Sequence, residues 1–132
     1  MTVFLDTWYL IALLRTRDAL HEVAKRLSPV FVGSLVTTDA VLIELLDSMT
    51  DPVVRPRAVG ACRSLRAEPR VRIVEVTPAL LDDPTSLFER RADKGWGLTD
   101  CVSFVVMERA GIRQALTADH HFEQAGFLPL MK

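Results

Sequence analysis

The sequence is sparing with cysteine, histidine and lysine, and it has no long apolar stretch. Its two cysteines, Cys62 and Cys101, show neither metal-ligand spacing nor the density of a disulfide-stapled scaffold. Each lies in a stretch of helical pattern and reads as a small core residue. The histidines are His21, far from the others, and the adjacent pair His120 and His121. That spacing offers no zinc ligand set, so they read as surface or packing residues. The longest uninterrupted apolar run, Trp8 to Leu14, is far too short to cross a bilayer. MTVFLDT carries no basic leader, which makes the cytoplasm the simplest address. No internal repeat and no low-complexity segment is present.

An excess of either charge is lacking as well. Sixteen basic and 17 acidic residues leave a net charge of -1, which argues against a broad electrostatic grip on nucleic acid. The basic residues are nevertheless biased, since 13 of the 16 are arginine. Six of these (Arg55, Arg57, Arg63, Arg66, Arg70 and Arg72) fall in one short segment opposed only by Glu68. They read either as a solvated helix face or as a phosphate-contacting patch, since the guanidinium fork suits phosphate oxygens.

What is present is an ordinary globular composition, 49% hydrophobic and 25% charged, in a chain of 132 residues that fits a single domain over 1–132. Thr2 to Leu5 reads as a strand ending at Asp6, and Trp8 to Leu14 as an apolar helix. Asp18 reads as the cap of a second helix, because Leu20, Val23, Ala24 and Leu27 recur at helical spacing with Pro29 beyond. A β-rich run, Val30 to Thr37, follows. Asp39 to Met49 and Pro56 to Ala67 read as helices, Val71 to Val76 as a strand, and 79–92 and 99–110 as helices. Gly111 reads as the C-terminal stop of the last. Gln114 to Thr117 is a further strand, and Phe127 to Met131 an edge strand limited by Pro129. Strands alternating with helices imply a three-layer α/β domain around a mainly parallel sheet.

In such sheets ligands bind at the carboxyl ends of the strands. Two aspartates stand there: Asp6 directly after VFL, and Asp119 directly after ALTA. Asp100 heads the apolar stretch LTDCVSFVVMERAG, and Glu44 interrupts VLIELL, a helix apolar on nearly every side and therefore read as buried. Taken singly, Asp6, Asp100 and Asp119 also suit cap or turn roles, and Glu44 suits a structural ion pair. Taken together, the four fit one cleft, where they cannot all stay ionised without a cation. An all-oxygen donor set suits Mg2+ or Mn2+ better than zinc.

FLDTWYLIALL, TTDAVLIELL and ADKGWGLTDCVSFVVMERAGIRQALTADHHFEQAGF resemble the PIN-domain ribonucleases, in particular the VapC-like toxin halves of bacterial type II toxin–antitoxin pairs. The likeness spans nearly the whole chain, and its more specific part is LTDCVSF followed by ALTADHHF. It implies a PIN-like α/β/α domain, with Asp6, Glu44, Asp100 and Asp119 as both the catalytic and the metal-binding residues and Thr7 and Thr99 beside them. It also implies an RNA substrate, a homodimer and a cognate antitoxin that blocks the site. Gly97 stands where such proteins often carry a small polar residue.

On that reading the carboxylates hold one or two Mg2+ or Mn2+ ions that activate water against a phosphodiester. Arginines and Lys94 would hold the RNA backbone. Ser103 has no evident base and reads as a packing hydroxyl. Asp93 is a candidate rim acid or a loop residue, and His120 a candidate phosphate contact. Trp96 reads as core or as a base-stacking platform, and Trp8 as core. Trp8 to Leu14 and the helix after Asp18 are candidates for the antitoxin groove, although dimerisation or core packing would explain the same residues.

A haloacid-dehalogenase-like phosphatase needs a second acid two residues after its first, where this chain has Trp8. A receiver domain needs an acceptor aspartate after its third strand, where this chain has Thr77 and Pro78. The remaining alternatives are a housekeeping PIN nuclease and a catalytically silent PIN-like module that binds RNA or protein.

Overall fold

The computed structural model describes residues 1–27 and 33–132. Among these the chain runs β1 (Thr2–Leu5), α1 (Thr7–Leu14), α2 (His21–Leu27), β2 (Ser34–Thr38), α3 (Asp39–Asp47), α4 (Arg55–Ala67), β3 (Val71–Val74), α5 (Pro78–Arg90), α6 (Leu98–Ala110), β4 (Gln114–Leu116), α7 (His120–Gln124) and β5 (Leu128–Pro129). The anticipated alternation is present. The start of the expected β-rich run and Pro29 lie outside the described residues. The short helix α7 was not anticipated, because five residues leave no helical periodicity to read.

The five strands are all parallel, in the order β3-β2-β1-β4-β5, within an α/β/α arrangement. β1 is central, and Val3, Phe4 and Leu5 are fully buried, as expected for a strand covered on both faces. The chain builds outward from β1 through β2 to β3, then crosses to β4 and β5 on the other side. The direction of winding therefore reverses between β1 and β4, and the crevice at such a reversal is where parallel sheets place ligands. Leu5 pairs in register with Leu116, so Asp6 and Thr117 leave the sheet side by side.

α6 supplies much of the core, burying Cys101, Val102, Ser103, Phe104, Val106 and Met107. Phe104 packs edge-on against Trp96 and Phe122, with ring centroids 5.0 Å apart in both pairs. The helix ends as its sequence indicates. Gly111 has φ 68°, and the Gly111 and Ile112 N–H groups return to the Glu108 and Met107 carbonyls, a Schellman closure that a side chain at Gly111 would strain. Cys62 and Cys101 are free and buried, as expected.

Two expectations are corrected and one open alternative is decided. α3 is not buried all round: Val41, Leu42 and Leu45 face inward, while Ile43 and Leu46 are exposed and so is Glu44. Apolar outward residues made an amphipathic helix look fully buried. Trp8 is 48% exposed rather than core. Trp96 is buried, with Nε1 donating to Gln124 Oε1 at 3.0 Å and the Arg91 guanidinium over its ring, so it offers no open face for a base.

Candidate active site

The four acids singled out in the sequence reach one crevice from four elements. Asp6 caps the junction of β1 and α1, Glu44 projects from α3, Asp100 sits in the first turn of α6, and Asp119 precedes α7. Their charges act on one another: Asp6 feels Asp100 and Glu44, and Glu44 feels Asp100 and Asp119.

Asp6 forms the floor and is 2% exposed. Burial pushes its carboxyl up to about 7, against hydrogen bonds from Thr117 and the Thr7 N–H, with the charges of Asp100 and Glu44 pushing it further. Thr117 ties two of the acids together. Its hydroxyl donates to Asp6 Oδ2 at 2.8 Å and accepts from Asp119 N–H at 3.0 Å. Asp100 is raised chiefly by burial and by Asp119, and is held down by the Gly97 N–H and by His121. Asp100 Oδ2 accepts from Gly97 N–H at 3.1 Å, so the helix-cap role is real and coexists with membership of the cluster. Glu44 stands at the rim. Partial desolvation raises its carboxyl first, followed by Asp100, Asp119 and Asp47, while the Thr7 hydroxyl favours its ionised form.

An acidic and histidine cluster is a donor set that can take a divalent cation, and the ligand atoms that already lie within 4.8 Å of one another are those of Asp119, His120 and His121. Buried carboxylates with raised affinity for protons are carboxylates short of positive charge. No lysine or arginine forms an ion pair with Asp6, Glu44, Asp100 or Asp119 among the described residues. The buried Thr7 Oγ1 sits beside the acids with Glu44 as its neighbour and makes no hydrogen bond of regular geometry.

The other residues named from the sequence divide clearly. Thr7 is buried beside the acids. Thr99 lends its carbonyl to the Ser103 hydroxyl at 3.1 Å, and Ser103 is the packing hydroxyl it was read to be. Asp93 turns away to the Arg91 guanidinium at 3.0 and 3.1 Å, with Lys94 at 3.9 Å. His120 is exposed. Four of the six clustered arginines are engaged within the fold: Arg55 donates to the Thr50 carbonyl, Arg57 to the Leu14 carbonyl, Arg66 pairs with Asp39 and Arg70 with Glu68. Arg63 and Arg72 make no hydrogen bond or ion pair among the described residues, so they remain available to a phosphate.

His121 is what sequence reasoning missed. Its Nδ1 lies 3.1 Å from Asp100 Oδ2 and 3.4 Å from Asp119 Oδ1, and its backbone N–H donates to Asp119 Oδ1 at 3.0 Å. The claim that no histidine stands at ligand spacing is corrected here. Asp119 caps α7, so its carboxylate folds back over the first turn and meets the next two side chains. The sequence signal was the DHH triplet just after a strand.

The family described as PIN domain matches residues 3–128. The chain belongs to the PIN-domain family. Among curated proteins, this PIN domain is similar to the 23S rRNA-specific endonuclease VapC20 of two Mycobacterium tuberculosis strains, with 31% identity over 126 residues that cover 96% of this chain and 95% of the relative. It is also similar to the crystal structure of M. tuberculosis VapC20, described as a sarcin-ricin loop cleaving toxin. That match has a TM-score of 0.88, 30% identity and 96% coverage of both chains. Within its family the chain is therefore VapC-like.

Proposed function

We propose that this PIN domain is a divalent-cation-dependent endoribonuclease and the toxin half of a toxin–antitoxin pair, with Asp6, Glu44, Asp100 and Asp119 as its cation ligands and catalytic groups. The observation that carries the reading is the convergence of four carboxylates at the β1/β4 reversal with no lysine or arginine paired to them among the described residues. Such a site binds Mg2+ or Mn2+, which supplies Lewis-acid polarisation of a phosphodiester and a more acidic water. The chain's own part is positional. Thr117 fixes the Asp6 carboxyl and the Asp119 backbone in one frame. The Gly97 N–H fixes the Asp100 carboxyl at the head of α6. No serine or cysteine nucleophile is needed: Ser103 is bonded to the Thr99 carbonyl, and both cysteines are buried.

The VapC20 relative acts on 23S rRNA by its name, so ribosomal RNA is the substrate class to test first. A cognate antitoxin and a homodimer are the partners, with the exposed Trp8 on α1 part of the surface open to them. No helix is long and apolar enough to cross a membrane among the described residues, in keeping with a cytoplasmic site of action. The decisive experiment incubates purified protein with total bacterial RNA, with and without Mg2+, and maps new ends. Discrete ends that require Mg2+ are expected. An unchanged RNA pool with Mg2+ and with Mn2+, from folded protein, would sink the reading in favour of a silent binding module.

A further inference from the structure

The DHH corner of the cleft has a donor chemistry that four carboxylates do not need. We infer that Asp119, His120 and His121 form a separate transition-metal site on the cleft rim, which takes Zn2+ or a similar borderline cation through two imidazole nitrogens and one carboxylate oxygen, with a fourth position open to water. The inference rests on the nuclease reading only in that Asp119 is shared with the proposed catalytic cation.

The spacings carry it. Ligand atoms of Asp119, His120 and His121 all lie within 4.8 Å of one another. His121 Nδ1 is 3.1 Å from Asp100 Oδ2 and 3.4 Å from Asp119 Oδ1, and His120 Nδ1 is 3.6 Å from Asp119 Oδ1. Bonds of about 2.1 Å in a tetrahedral zinc site set neighbouring donors about 3.4 Å apart. Hydrogen bonding accounts for the shortest of the three spacings but not for the others, which exceed a charge-assisted bond. A single Nδ1 proton also cannot serve two carboxylates at once.

The two imidazole rings stand with centroids 4.5 Å apart, both turned toward the Asp119 carboxylate. Imidazole suits zinc, nickel and copper, while carboxylate and water suit magnesium. His120 is largely exposed and His121 partly so, so the site is open to solvent. Zn2+ seated there engages Asp119 and withholds it from the hard cation, which makes Zn2+ an inhibitor of the Mg2+-supported reaction.

The test uses tag-free, metal-stripped protein titrated with Co2+ as a spectroscopic stand-in and then with Zn2+ in competition. The parent should develop the visible bands of a low-coordinate nitrogen–oxygen cobalt site, without thiolate charge transfer because Cys62 and Cys101 are buried. His120→Gln, at an exposed position, should weaken Zn2+ binding by about tenfold or more, and His121→Gln should do the same. Asp93→Asn removes a carboxylate held by Arg91 outside the corner and should keep affinity within a few-fold of the parent. Circular dichroism confirms that each variant is folded. Equal Zn2+ affinity in parent and His120→Gln overturns the inference, as does a loss equally large in Asp93→Asn. Metal binding as described in a protein that cuts no RNA with Mg2+ leaves this site standing and removes the nuclease reading. Mg2+-dependent cleavage without histidine-dependent Zn2+ binding does the reverse.

Discussion

The acids and the arginines of this chain are distributed in opposite ways, and the fold treats them oppositely. The arginines are gathered in sequence, six within the segment that includes α4, yet in space four of them disperse to local partners: carbonyls at the ends of α1 and of the segment after α3, and single carboxylates of Asp39 and Glu68. The acids are scattered over most of the sequence and converge on one crevice. A local run of charge is satisfied by whatever lies within reach of a long side chain. Convergence from distant positions needs the sheet topology to arrange it, and it leaves the groups short of partners. The second pattern, not the first, marks a site.

The sharpest way to break the comparison is to remove one converging charge. Asp100→Asn should lower RNA cleavage by more than the about 10- to 100-fold that follows loss of a group supporting a metal ligand. The amide oxygen can still accept from the Gly97 N–H, so α6 keeps its cap, and the metal-free protein should melt no lower than the parent because a like charge is gone. Cleavage at the parental rate under the same Mg2+ would reduce Asp100 to a helix cap.

Protons test the same crowding. Asp6 has its pKa at about 7 in the folded chain against 3.8 for the free side chain, so the folded state holds a proton that the unfolded state releases between those values. The stability it contributes is therefore present at low pH and lost as pH rises through that window, on the order of 4 kcal/mol in all. Urea unfolding of metal-free protein should show this decline toward pH 7, and Asp6→Asn should flatten it. An equal slope in both proteins would show that Asp6 is not where the strain sits.

A cation should cancel the same strain. Mg2+ or Mn2+ at about a hundredfold excess over its dissociation constant should stabilise the fold by about 2.7 kcal/mol, and Glu44→Gln and Asp119→Asn should each shrink that gain. Melting curves with and without Mn2+ read it directly, and an indifferent parent would argue that the acids meet no metal. The smallest effect belongs to the arginines. Arg57→Ala should lose about 1 kcal/mol by freeing the Leu14 carbonyl at the end of α1, with little change in cleavage. A large fall in cleavage at unchanged stability would instead return Arg57 to the RNA-binding surface.

Much of this was legible in the sequence because its signals are local. Alternating strand and helix patterns gave the parallel sheet, Gly111 marked the end of α6, and aspartates after VFL and ALTA marked the reversal. What was hidden depended on what covers a surface. The apolar sequence of α3 does not say that Ile43 and Leu46 face outward, and nothing local distinguishes exposed Trp8 from buried Trp96. His121 was hidden because α7 is too short to show a period, so the approach of its ring to Asp100, 21 residues earlier, had no trace in spacing.

The Thr117 bridge links residues 111 positions apart, and this makes the cleft a report on the completeness of folding. β1, β2 and β3 can pair early, but Asp6 faces no Thr117 and no Asp119 until β4 docks against β1. Such distant contacts form late, after the entropy of closing the intervening chain has been overcome. Local opening of β4 and α7 would take the crevice apart while the other half of the sheet stayed paired. A chain that is half folded, or that has lost its last strands to a protease, thus keeps most of its bulk while the proposed site has lost Asp119 and the Thr117 partner of Asp6.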